Sequence, residues 1–298
     1  MLAAGCTHPT STEPSSLSAP PRASATCPAP IVTQSAAGQP VRVTFDDPQA
    51  AAANPPVTAS CSPVSGAAFS TGTTTVACTV TDARQQAFAC SFTVRVIGPP
   101  RVGATTFLAF GDSLTSGSIP PDPVDSYPSH LKPKLVARYV AQTIVVINDG
   151  RAGENAQATG RTRLPVALDL YKPGALLLME GSNDLLGGSA GATAGLAALT
   201  EMVRAARDRG VTVFLATLPP QRLGGIRDAV AKAIPGFNDE IKALAQSEGA
   251  TLVDIYTAMG GDGRYIGHDD EHPTREGFEV MAEAFFTAIR QKLELPPE

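Results

Sequence analysis

The sequence predicts a small β-sandwich joined by a short linker to a doubly wound α/β domain, and three observations predict it. From Cys27 to about Ile97, apolar and polar residues alternate with period two. Beyond Thr105, five short apolar runs without alternation are separated by stretches of helical periodicity. Four of the five cysteines, Cys27, Cys61, Cys78 and Cys90, lie in the first segment, and none follows Cys90. The 298 residues are 43% hydrophobic and 17% charged, carry a formal net charge of -5 and include no Trp. Such a mildly acidic balance offers no electrostatic footprint for nucleic acid or an anionic membrane. No apolar run approaches the roughly 20 residues that would span a bilayer.

The opening Met1-Leu-Ala-Ala-Gly-Cys6 resembles the end of a bacterial lipoprotein signal, in which small residues precede a lipid-modified cysteine. The charged and long apolar regions of such a signal are not in the sequence, which leaves a spare thiol as the alternative for Cys6. A Pro/Ser/Thr/Ala-rich stretch follows, and residues 1–26 read as a disordered tether.

Four runs then share the period of a half-buried strand: Val41, Val43 and Phe45; Val57, Ala59 and Cys61; Val76, Cys78 and Val80; and Phe88 through Val96. Thr, Ser and Arg fill the positions between. This pattern turns Cys61, Cys78 and Cys90 inward, toward a core between two sheets. Clustered cysteines without CxxC or histidine partners read as two disulfides, with three pairings open. Disulfides persist in oxidising compartments and argue for export, to a bacterial envelope or beyond. Cys-Pro at 27–28, Ser-Cys-Ser-Pro at 60–63, Gly-Thr-Thr-Thr-Val-Ala-Cys at 72–78, Thr-Asp at 81–82 and Cys-Ser-Phe-Thr-Val at 90–94 resemble the hyalin-repeat (HYR) pattern. That resemblance implies an immunoglobulin-like fold over 27–97 and a role in spacing or in contact with a cell surface or matrix.

Residues 98–104, Gly-Pro-Pro-Arg-Val-Gly-Ala, read as a stiff linker, because proline fixes φ and cannot continue a ladder. The apolar runs 106–110, 144–147, 175–179, 211–216 and 250–255 suit parallel strands buried on both faces. Leu196, Leu199 and Val203 recur at helical spacing; so do Ile234, Phe237, Ile241 and Leu244, and then Phe278, Met281, Phe285 and Ile289 behind a Thr274 N-cap. Leu186 to Gly195, rich in Gly and Ala, reads as a flexible loop. It lacks the Gly-Lys-Ser/Thr ending of a phosphate loop. In a doubly wound sheet, ligands gather at the carboxyl ends of the strands.

The first such strand end reads Gly111-Asp112-Ser113-Leu114. A Gly-Asp-Ser turn is also an ordinary helix N-cap, so a serine here needs a base and an orienter before it counts. Only four histidines exist. His8 lies in the tether and His130 follows a Pro-Ser turn, while His268 and His272 lie in Gly267-His268-Asp269-Asp270-Glu271-His272-Pro273. Asp269, three residues before His272, can reach the imidazole and fix its tautomer. The competing readings are a solvated acidic loop and a weak metal site on both histidines. Donors for an oxyanion are available in Asn148-Asp149-Gly150-Arg151-Ala152-Gly153-Glu154-Asn155 and in Glu180-Gly181-Ser182-Asn183-Asp184.

These four blocks, in this order and strand context, resemble those of the SGNH (GDSL-like) hydrolases over residues 105–295. The resemblance implies a three-layer α/β/α, flavodoxin-like domain and an ester hydrolase that needs neither metal nor organic cofactor. It gives Ser113 the nucleophile's role and His272 that of base, with Asp269 as orienter and Ser113, Gly153 and Asn183 as oxyanion donors. The substrates it implies are small acyl esters, acetylated sugars, lysophospholipids or thioesters. Glu180 departs from the pattern, and its carboxylate either lines the pocket or binds Arg151 or Arg161. Two other readings compete with hydrolysis: a surface adhesion protein whose hydrolase-like domain is inactive, and an O-acyltransferase.

Overall fold

The computed structural model describes residues 23–51, 53–117, 125–261 and 263–296. Cys6, His8 and residues 1–22 of the expected tether lie outside them. The chain divides into two compact units at Ile97/Gly98, with Ala36–Gly38 belonging to the second.

The first unit is strand-rich, as alternation predicts. Its main sheet comprises β1 (Ile31–Gln34), β2 (Thr58–Ser62), β3 (Gly72–Thr81) and β4 (Ala87–Ile97), in the order β1-β4-β3-β2. Only the β1–β4 pairing is parallel. Short antiparallel pairs, Ser24–Thr26 with Gln49–Ala51 and Val41–Arg42 with Ala68–Phe69, lie outside this sheet. Val76, Val94 and Val96 from the main sheet pack with Val43 and Phe69 in one core, and Phe45 meets the Phe92 ring edge-on at 4.9 Å. Apolar burial of this kind gives a strand its in/out register. Two details depart from the sequence reading. Ordered pairing starts at Ser24, inside the expected tether, and Val57 stands just before β2 with 46% of its surface exposed.

The disulfides pair Cys27 with Cys90 and Cys61 with Cys78. Cys61 and Cys78 are direct cross-strand partners in the β2–β3 register. That bridge therefore ties neighbouring strands of one sheet, and does not cross the core as the inward alternation suggests. Closing loops of 63 and 17 residues restricts the unfolded chain by about 4 and about 3 kcal/mol in the loop-entropy model.

In the second unit, Arg101–Val102 pairs antiparallel with Glu294–Leu295, and the Gln142 side chain bonds both the N–H and the carbonyl of Val102 (2.7 and 3.0 Å). Part of the expected linker is thus built into this unit, because Val102 has an apolar side chain to bury. The five parallel strands are β5 (Thr106–Gly111), β6 (Val145–Gly150), β7 (Ala175–Met179), β8 (Thr212–Ala216) and β9 (Thr251–Val253), in the order β6-β5-β7-β8-β9. This is the flavodoxin-like order, and its switch point lies between β5 and β7. All of β7 and nearly all of β5 and β8 are buried, as unalternating runs require, while edge strand β6 exposes Val145 and carries Asn148 and Asp149.

Two groups of helices cover the sheet. Helix α1 (Tyr127–Arg138) packs on α5 (Arg275–Leu293), with Tyr127 stacked on Phe285 at 4.7 Å. Helix α2 (Arg161–Tyr171) packs on α3 (Gly188–Arg207), and α3 on α4 (Asp228–Glu248). The helical stripes read from the sequence face the core, and Thr274 caps α5 by accepting from the Gly277 N–H (3.2 Å). The stretch Leu186–Gly195 is not a flexible loop. It forms a short turn and the first two turns of α3. A side chain at Gly191 or Gly195 would run into the backbone or Cβ of Asp184. Glycine's cost in a helix is offset here by close packing on the turn that ends β7.

Candidate active site

The loops that leave the carboxyl ends of β5, β6 and β7 are fastened to one another. Ser113 opens a one-turn helix after β5, and the carboxylate of Asp112 caps that turn by accepting from the Leu114 N–H (2.9 Å). The chain after β6 lies against it: the Arg151 N–H donates to Gly111 O (2.8 Å) and the Asn148 amide to Ser116 O (3.3 Å). Any side chain at Gly150 would occupy the place of the Ser116 backbone nitrogen. The glycine is what lets the two loops touch.

After β7, Asn183 and Asp184 reach toward the same region. Asn183 Nδ2 donates to Glu154 O (2.9 Å), and Asp184 accepts from the N–H groups of Ala156 and Gln157 (2.8 and 3.0 Å). The Gly153 turn, at φ +78°, is thereby held from both sides. Ser113 and Asn183 follow the two strands that flank the switch point, where an open α/β sheet holds its ligand. Both are buried, and Gly153 is exposed.

The fourth element is the turn before α5, closed by the Ile266–Pro273 bridge and by the Gly267 N–H on His272 O (2.7 Å). It carries three consecutive acids, and each has its own partner. Asp269 Oδ2 accepts from His272 Nδ1 (2.7 Å), while its other oxygen takes the His272 backbone N–H (3.0 Å). Asp270 pairs with Arg222 (3.1 Å), and Glu271 with Arg227. Burial works against the charge on Asp269, but the hydrogen bonds from His272 and Glu271 outweigh it and hold the carboxyl below its ordinary value. A carboxylate on Nδ1 leaves Nε2 as the basic nitrogen of the ring. That atom is buried and has no hydrogen-bond partner among the described residues, the Ser113 hydroxyl included.

Arg227 links this turn to the end of β7. Besides Glu271, it reaches Ser182 O (3.0 Å) and Asn183 Oδ1 (3.5 Å). On the other side, Arg163 pairs with Glu154 and Asp149 and lies 3.7 Å over the Phe110 ring. Neither arginine has a local sequence signal, since each earns its role through partners far away in the chain. His130, in α1, lies 3.3 Å from Asp125, which precedes the helix.

Glu180 neither binds Arg161, which pairs with Glu201, nor meets Arg151: its carboxyl is fully buried beside that of Glu154. Burial first, then the Asp112 and Glu154 charges, push its proton affinity well above the ordinary value. Asp112 is likewise pushed up by burial, to about 7 from 3.8. Both are therefore protonated in the fold at pH values where an unfolded chain has lost those protons. Through Asp112 the folded state binds more protons between about pH 4 and 7, so this group's contribution to stability falls as pH rises through that window. We expect Asp112→Asn to flatten the fall in Tm between pH 5 and 8, measured by calorimetry. An unchanged slope would show that Asp112 titrates normally.

The GDSL-like lipase/acylhydrolase family model matches residues 109–280, more than half of the chain, and the HYR domain model matches residues 18–96. Solved structures share the fold, three of them as follows. Axe2, an acetylxylan esterase from Geobacillus stearothermophilus, is 21% identical at a TM-score of 0.54, over 63% of this chain and 96% of its own. The lipase/acylhydrolase from Enterococcus faecalis is 22% identical at 0.56, over 65% and 98%. The psychrotrophic esterase EstA from Pseudoalteromonas sp. is 21% identical at 0.52, over 63% and 97%. No curated protein matches significantly. The HYR match and the two disulfides point to an extracellular protein, and no helix among the described residues is long and apolar enough to cross a membrane. With this family model matched over residues 109–280 along a parallel sheet of this topology, the chain belongs to the GDSL-like lipase/acylhydrolase family and is an ester-hydrolysing enzyme.

Proposed function

We propose that the enzyme hydrolyses acyl esters through a covalent acyl-serine, with Ser113, His272 and Asp269 as its triad. The observation that carries this is the Asp269–His272 pair: a ring fixed at 2.7 Å through Nδ1, with Nε2 buried and unused. Nε2 takes the Ser113 proton as Oγ attacks the ester carbonyl, and returns it to the departing alkoxide as the C–O bond breaks. Water then repeats the sequence, releasing the acid and restoring Ser113. The charge that develops on the carbonyl oxygen is met by the N–H groups of Ser113 and Gly153 and by the side-chain amide of Asn183. Each such donor contributes about 2.7–4 kcal/mol to the transition state.

Catalysis belongs to residues 105–295 in this proposal, and residues 27–97 serve as a spacer or surface-contact module. Lipid attachment at Cys6, outside the described residues, would fasten the enzyme to a membrane.

A fluorophosphonate tests the reading, since it reacts with a serine only when base and oxyanion donors act together. EstA, which shares the fold, was solved inhibited by monoethylphosphonate. The expected result is one adduct, mapped to Ser113 by mass spectrometry, in folded protein and not in denatured protein. No adduct, with the fold intact, would favour an inactive domain with an adhesive role.

A further inference from the structure

A concavity in the second unit is lined by none of the proposed triad. It is a groove of about 760 Å³ between α3 and α4, with Leu185, Ala192 and Leu196 on one wall and Ile226, Val230 and Phe237 on the other. That volume lies within the usual range for a small-molecule site, and its mainly apolar lining is the composition such sites have. Its mouth is unusually apolar for a surface. Ile226 is 93% exposed and Leu186 64%.

The groove begins where the proposed oxyanion site ends. Leu185 is two residues beyond Asn183, and Arg227, which lines the groove, is bonded to Ser182 O and approaches Asn183 Oδ1. From Arg227 it follows α4 to Glu240, about 20 Å at the rise of an α-helix. No residue of the 263–274 turn lines it. This asymmetry identifies which half of an ester fits. The leaving oxygen must lie beside His272 to receive its proton, so the alcohol is directed to the turn that carries the imidazole. The acyl half is then left to extend along the wall that starts at Asn183.

We propose that the groove between α3 and α4 is an acyl-chain subsite, and that the enzyme prefers esters of medium-length fatty acids to acetyl esters. An acetyl group would leave the groove empty. The preference therefore departs from the acetylated substrate named for the Geobacillus enzyme. The proposal rests on the triad reading, because it takes the direction of the chain from the place of His272.

The test is a set of p-nitrophenyl esters, acetate, butyrate, octanoate and decanoate, kept below micelle formation and assayed with the full chain. A second set lengthens the alcohol at constant acetyl, from ethyl to octyl acetate. Each methylene buried in a groove of this kind raises kcat/KM by up to about fourfold. We expect a rise of at least about a hundredfold from acetate to octanoate, and no comparable rise along the alcohol set. Ala229 and Ala233 stand one turn apart on the exposed wall of α4, so Ala229→Phe and Ala233→Phe fill the groove without entering the core. Either is expected to cut the octanoate-to-acetate ratio of kcat/KM at least tenfold, and to weaken product inhibition by octanoate likewise. A flat or falling acyl series overturns the proposal, as does an unchanged ratio in both filled variants or a rise that follows the alcohol instead. If the fluorophosphonate still labels Ser113 in that case, only the subsite is lost. If it does not, the triad reading falls with it.

Discussion

Ser113→Ala is expected to lower kcat on p-nitrophenyl butyrate by about 10⁵–10⁶-fold, equivalent to about 7–8 kcal/mol of transition-state stabilisation. The loss is this large because nucleophile and base act as a unit. An imidazole with no hydroxyl to deprotonate contributes almost nothing, and only substrate binding and the oxyanion donors remain. The fold has little stake in the hydroxyl. Ser113 contributes its backbone to the turn after β5, where its carbonyl accepts from the Gly117 N–H, while the capping group is the carboxylate of Asp112. Tm should therefore stay within a few degrees of the parent. If the variant keeps more than a tenth of the parent rate, another hydroxyl attacks. Ser116 and Ser182 would be the residues to examine, the first within the same turn and the second bonded to Gln221 (3.1 Å).

Asp269→Asn is expected to cost about 10⁴-fold in kcat, with little change in KM. The shape of the side chain is kept and its chemistry is reversed. Where Oδ2 accepts from Nδ1, an amide can present N–H, and the ring then moves its proton to Nε2 and can no longer take one from serine. The other carboxylate oxygen, which receives the backbone N–H groups of Glu271 and His272 (3.2 and 3.0 Å), is matched by the amide oxygen, so the turn keeps its form. A steady-state assay with a near-ultraviolet circular dichroism control checks both parts. Activity within tenfold of the parent would mean that Asp269 does not set the tautomer.

Much of this was legible because the physical causes are local. The strand ends at Gly111, Gly150 and Met179 follow from short apolar runs stopped by glycine or acid, and Thr274 announces α5 by its capping chemistry. The proximity of Asp269 and His272 follows from three residues of spacing on an irregular turn. What the pattern hid depends on packing between distant segments. Gly191 and Gly195 look like a flexible stretch until Asp184 is seen to lie against them. Arg163 and Arg227 are two arginines among many until Glu154 and Glu271 are placed beside them. Glu180 reads either as a pocket carboxylate or as a partner of Arg151 or Arg161, whereas the end of a fully buried strand sets it among other acids. The cysteine pairing depends on β2 and β3 being neighbours, which their composition alone does not say.

The partition of Asp269, Asp270 and Glu271 among three partners has a consequence for how the imidazole is kept in place. Two straps from the segment after β8 tie down its turn, and they differ in shelter. The Arg222–Asp270 pair is open to solvent, with side-chain exposures of 46% and 21%, whereas Arg227–Glu271 has 14% and 13%. Dissolved ions weaken the open strap first and leave the sheltered one nearly intact. A concentrated electrolyte thus loosens the outer edge of the turn while the histidine stays anchored from within.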